Sequence, residues 1–218
     1  MIVYEKFDVE IARSVSANNL HWPTRGEASD EGSLGGNRSY LDLRDFTWAE
    51  AARLYEKEAQ LIERLEAAAD LDAEYELIED ELYEDDEGLF GLDIGVASAV
   101  LALSAAGCIP CSSCNGGAYG GSHNELYPVV GFYAKARQID LLLRCAEEAA
   151  VGMEHGPQGA VIVYADDIRR MPVFANTLIS RSAEFREVAR MGTRQRATKK
   201  VMTDASVEEN GQLRLPLD

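Results

Sequence analysis

A chain of 218 residues, 46% of them hydrophobic, can bury one substantial core with appendages. Its net charge of −17 argues against broad nonspecific binding to nucleic acid, because phosphate contacts need a surplus of Lys and Arg; a local basic patch stays open. The longest apolar run, 94–106, is shorter than the ~18–20 residues of a spanning helix, and charges at Glu5, Lys6 and Asp8 leave no apolar stretch for a secretory signal, so neither a membrane protein nor an exported one is expected.

In chain order, residues 1–17 read as a short strand and a helical piece. Residues 18–46, rich in Asn, Gly, Ser and Asp, read as a long loop, either functional or disordered. Thr47-Trp48-Ala49-Glu50 has the form of a capping box, in which hydroxyl and carboxylate each satisfy a free amide. It opens a helix whose apolar stripe is Trp48, Ala52, Tyr55, Ala59, Ile62, Leu65 and Ala69. Residues 70–87 hold eleven acids and no base, yet Leu71, Tyr75, Ile78 and Leu82 recur at helical spacing. This predicts an amphipathic helix with a solvated acidic face; a metal site, a DNA mimic and a contact for a basic partner are the functional alternatives.

Asp93 is placed to cap a small-residue helix that runs to about 106, where Gly107 suits the position after its end. A strand follows at 108–114, then a glycine-rich loop at 115–121 and a second strand at 127–134. Residues 135–151 form a helix with Ile139, Leu142, Leu143, Ala146 and Ala150 inward. The run 160–165 is a buried strand and 172–190 a final helix. The order α-β-β-α-β-α predicts a layered α/β core, with an α+β arrangement as the other possibility. Three regions result: a helical N-terminal region over 1–87, the core over 88–190, and a tail over 191–218. The tail has too little apolar content to fold alone and is expected to be disordered.

The densest chemistry lies between Cys108 and His123. Thiolates of Cys108, Cys111, Cys114 and Cys145, with His123, could bind a metal. On a strand, however, Cys108 and Cys114 point one way and Cys111 the other, so no metal is expected. Cys114 before a glycine turn could be a nucleophile with His123 as its base. Ser112, Ser113, Asn115 and the amides of Gly116 and Gly117 could hold a ligand without covalent chemistry. The bland alternative is a buried strand whose thiols serve as small core residues. No cofactor can be named from these residues alone.

The segment Ser112-Ser113-Cys114-Asn115-Gly116-Gly117 resembles the Ser-Ser-Cys-Ser-Gly-Arg segment of the wybutosine-synthesis tRNA methyltransferases, and the resemblance extends over 108–165. It implies a shared fold and, in that family, an S-adenosylmethionine-dependent activity on RNA. Asn115 replaces a Ser and Gly117 replaces the Arg, which removes a phosphate contact.

At the other end, Gln212-Leu213-Arg214-Leu215-Pro216-Leu217 resembles the clamp-binding peptides of bacterial replication and repair proteins, in the six-residue form that ends Leu-x-Leu. Gln212, Leu213, Leu215, Pro216 and Leu217 match; Arg214 stands where Ser or Asp is common. The resemblance implies a cytoplasmic bacterial accessory protein of DNA replication, repair or anti-invader defence, recruited by the DNA sliding clamp. Burying three leucines is worth roughly 5–9 kcal/mol gross, and ordering six residues takes back about 1 kcal/mol or more each. The expected affinity is therefore on the order of micromolar. Residues 191–211, as a coil with an r.m.s. span of ~25 Å, would let Arg194, Arg196, Lys199 and Lys200 reach DNA indirectly. Two other functions remain open: an enzyme with a Cys/His or small-ligand site at 108–123, and an acidic inhibitor or immunity-type protein that uses 70–87.

Overall fold

The computed structural model describes residues 6–29, 34–37, 40–85, 88–119 and 123–191. The helices are α1 (Trp48–Ala67), α2 (Leu71–Glu84), α3 (Ala97–Ala105), α4 (Ile139–Glu148), α5 (Arg170–Ser180) and α6 (182–191). The strands are β1 (Ile109–Cys114), β2 (Val129–Tyr133), β3 (Gly152–His155) and β4 (Val161–Tyr164). They form one antiparallel sheet in the order β1-β2-β4-β3. The mixed α/β character follows the sequence, with one strand more than expected. β3 has a single large apolar residue, Met153, and no periodicity to announce it.

Helices cover the inner face of this sheet. The directly opposed pairs Val130 with Val163 and Phe132 with Val161 face them. α3 lies between α1 and α5 and is buried from Ala97 to Ser104. Its alanines and serines leave room for close neighbours on every side. The capping box at Thr47 is present, with Glu50 N–H donating to Thr47 Oγ1 (3.2 Å) and Thr47 N–H to the Glu50 carboxylate (2.7 Å).

The line that α1 buries is Ala51, Leu54, Glu58, Leu61 and Leu65. The expected stripe was rotated by about one residue. Trp48, Tyr55 and Ile62 only flank the core, and Ala69 is exposed. The rotation has one cause: a charged residue, Glu58, occupies the middle of the inner line. Its Oε1 accepts from the N–H groups of Gly95 and Ala97 (2.9 Å each), and its Oε2 from that of Ser98 (3.1 Å). Glu58 therefore caps α3 from another helix, satisfying amides that the first turn of any helix leaves free. Asp93, expected in that role, lies before an intervening turn and receives the Asn115 N–H instead (3.1 Å).

Three further expectations are corrected. Residues 6–17 contain no helix; 12–14 run extended beside β3, with Met153 N–H donating to Ala12 O (2.8 Å) and Ser14 N–H to Met153 O (3.0 Å). The expected final helix breaks at Arg181 into α5 and α6, and Arg181 pairs with Glu148 (2.8 Å) and Glu184 (2.9 Å) across the break. Ala150 is exposed with φ 56°, so the inward residue after α4 is Ala149. α2 forms as expected, burying Tyr75 and Ile78; Arg64 of α1 pairs with its Glu74 (2.8 Å) and Glu81 (2.6 Å). The expected tail and its clamp-binding peptide lie outside the described residues.

Removing the Glu58 carboxylate leaves three buried amides without acceptors. At about 1–3 kcal/mol per unsatisfied group, Glu58→Ala should cost at least about 3 kcal/mol in urea unfolding. Glu58→Gln adds a pH test. Burial pushes the Glu58 carboxyl above its ordinary 4.5, against the pull of the Ser98, Gly95 and Ala97 groups. The folded chain therefore keeps this proton to higher pH than the unfolded chain. The stability it contributes is full below 4.5 and falls as pH rises through the raised folded value. The cost of Glu58→Gln should accordingly be largest near pH 4 and shrink toward pH 7; a cost that grows with pH would show that the amides outweigh burial.

Candidate functional site: a cleft on the outer face of the sheet

The outer face of the sheet is only partly covered. Ala28, Leu34 and Tyr40 from the N-terminal loop pack on Ile109, Cys111, Tyr133 and Ala160 as a small second core. The loop is pinned by His21 N–H donating to Gly159 O (3.0 Å), by Tyr40 Oη donating to Ala28 O (3.1 Å), and by the Asn37 side-chain amide donating to Cys111 O (3.0 Å). Beyond this cover a cleft of about 560 Å³ opens over β1, β2 and β4, walled on the far side by 124–127. A smaller hollow of about 260 Å³ adjoins it at the β1 edge and shares Asn37, Cys111, Ser112, Ser113 and Asn124 with it.

A bulge in β1 sets which residues face the cleft. Pro110 pairs with Phe132 and Ser112 with Gly131, so Cys111 is the extra residue. The bulge resets the alternation. Cys111 and Cys114 now face outward together, while Cys108, before the strand, lies in the main core. The alternation expected for a regular strand, with Cys108 and Cys114 on one side, does not hold. Cys145 lies on α4 in the main core. Among the described residues no group of three or more His, Cys, Asp or Glu is placed to hold a metal ion.

The expected ligand residues fall into two sets. Ser112 and Ser113 line the cleft. Asn115 is buried and occupied: its amide donates to Ile94 O (3.2 Å), and its Oδ1 accepts from Gly117 N–H (2.9 Å). Gly116 donates its N–H to Cys114 Sγ (3.4 Å). Gly117 has φ +80° and lies under the His123 ring, where a Cβ would come within 2.7 Å of the imidazole. No hydrogen bond joins Cys114 to His123 among the described residues.

Sequence reasoning missed Asp93, Glu125, Tyr127, Gly131 and Tyr133 as parts of this site. Asp93 is half-buried at one end of the cleft. Burial pushes its carboxyl above 3.8, opposed by the Asn115 N–H and by nearby His123. At the cleft floor Gly131 is required by close approach, since a Cβ there would lie 2.5 Å from Ser112 Oγ. The environment that raises the Asp93 carboxyl exists only after folding, so no stretch of sequence announces it.

Fold and site together define a mixed α/β protein: a four-stranded antiparallel sheet with helices on one face and a loop-walled cleft on the other. No protein-family model, curated protein or solved structure matches this chain.

Burial sets the reactivity of the thiols. Cys108 is pushed up to about 12, and Cys111 and Cys145 to about 11, from an ordinary 9.0. Thiolate is the reactive form, so a three-unit rise lowers its population about a thousandfold. In the folded chain at pH 8, Cys108 should react with a disulfide reagent at least about a thousandfold more slowly than in urea. Mass mapping of Cys108 labelled within minutes in the native state would contradict this placement.

Proposed function

We propose that this chain is an accessory protein of DNA replication, repair or anti-invader defence, recruited through the bacterial sliding clamp by its C-terminal peptide. The observation that carries the reading is the ordered match of Gln212, Leu213, Leu215, Pro216 and Leu217 to the six-residue clamp-binding pattern. Charge supports it. A chain of net −17 is repelled by DNA, so a protein contact is the economical way to concentrate it there. Position supports it too: the last described core contacts, Phe185 and Val188 on α6, precede the peptide by the whole of 191–211. A linker of that length would let the core stay clear of a ring on which the peptide is docked.

The outer-face cleft favours a second, compatible reading, in which the core binds a small ligand. Its volume of about 560 Å³ lies within the usual range for such sites, and its lining combines an apolar floor with a few polar groups.

The tether is tested by size-exclusion chromatography with a purified bacterial clamp. The full chain should co-elute with an affinity on the order of micromolar, and a chain ended after Asn210 should not. Replacing Leu215 and Leu217 together with Ala should weaken binding at least about tenfold. Equal co-elution of full and shortened chains would sink the proposal.

A further inference from the structure

We propose that the outer-face cleft is a site for a small organic cation, an ammonium or guanidinium group carried on an apolar and preferably aromatic body. This rests on the reading of the cleft as a ligand site and is independent of the tail.

The floor supplies the apolar half. Val129 and Ile162 lie on the outer face, and the Ser112 hydroxyl lies over Gly131 between them, so the floor combines apolar side chains with one hydroxyl. Tyr127, half-buried beside Tyr164, borders it, and an aromatic ring at that position attracts cations as well as apolar bodies; Tyr133 is buried beneath the loop cover.

Charge selects the ligand's sign. Among the described residues, Asp93 and Glu125 are the only acidic or basic side chains other than thiols and phenols that line the cleft. Glu58 and Asp93 differ in their hydrogen bonding. Glu58 is enclosed and receives three amide N–H groups from inside the fold, with no opening to a ligand. Asp93 receives one, from Asn115, on Oδ2 alone. It is half-buried and open to the cleft, with His123 nearby. A cationic donor seated on the floor would add a charge-assisted hydrogen bond to it. Glu125, exposed in the 124–127 wall, adds a second attraction and disfavours anions. Two carboxylates without a third ligand do not make a metal cage, which directs the inference to an organic cation.

The test uses the full-length chain, isotope-labelled for amide NMR, titrated with phenethylamine and with hydrocinnamate, which carries the same ring on an anionic chain. Phenethylamine should shift the amides of Gly131 and Ile162 and bind at least about tenfold more tightly than hydrocinnamate. Asp93→Asn and Glu125→Gln should each weaken amine binding, and the double variant should abolish the preference. Glu125 is exposed on a loop, so Glu125→Gln reports even if Asp93→Asn disturbs the Asn115 contact. Equal affinity for the two probes would overturn the choice of a cation while keeping the cleft as a ligand site. Silence at Gly131 and Ile162 with both probes would overturn the site itself. Amine binding unchanged by Glu125→Gln and by the double variant would also overturn the proposal.

Discussion

Glu58 is a carboxylate with no solvent exposure, seated in the middle of a packed helix face and bound to three amides at the start of α3. A lone charge in that position would be prohibitively costly. The amides at the head of a helix are themselves costly when buried without acceptors. Each problem is the solution of the other, and the match fixes the register of α1 against α3. Because α3 lies between α1 and α5 and above the sheet, that register sets the spacing of the helical layer. The small residues of α3 permit close approach, but a smooth surface does not choose a depth or rotation. Glu58 chooses both.

The same turn of chain carries this constraint outward to the cleft. Ile94 O accepts the Asn115 side-chain amide, Asp93 accepts the Asn115 N–H, and Gly95 N–H donates to Glu58. A few consecutive residues thus tie the end of β1 to the buried helix cap. The cleft therefore has one end, at Asp93 and Cys114, hydrogen-bonded into the fold, and exposed residues, Asn124 and Glu125, in its wall. Recognition chemistry sits at the boundary between a fixed sheet and a loop, a common arrangement for binding sites.

What could be read from the residues alone divides along physical lines. The capping box at Thr47, the acidic amphipathic α2, and β1, β2 and β4 are local in origin, and their patterns survive in the sequence. The face of α1 was misjudged because hydrophobic periodicity skips a glutamate, and only the fold reveals that this glutamate has amide partners. β3 carries no alternation, because it is one short strand held by β4 on one side and by residues 12–14 on the other. The bulge at Cys111 is equally silent; it becomes visible only when Pro110 and Ser112 are set against β2. The cysteine–glycine segment contributes Cys111, Ser112, Ser113 and Cys114 to the cleft lining. Its principal charged neighbour, Asp93, lies earlier in the chain, and its floor at Gly131 lies later. The site is a property of cross-strand pairing, which no local window contains.

Both margins of the sheet are guarded. Residues 12–14 occupy the free side of β3. On the β1 side, Pro110 offers no N–H, the bulge breaks the spacing of the remaining groups, and Asn37 occupies the Cys111 carbonyl. An incoming strand meets an interrupted ladder on either flank. Among the described residues, neither border of the sheet presents a long, regular row of free backbone groups, the feature that invites edge-to-edge pairing between copies.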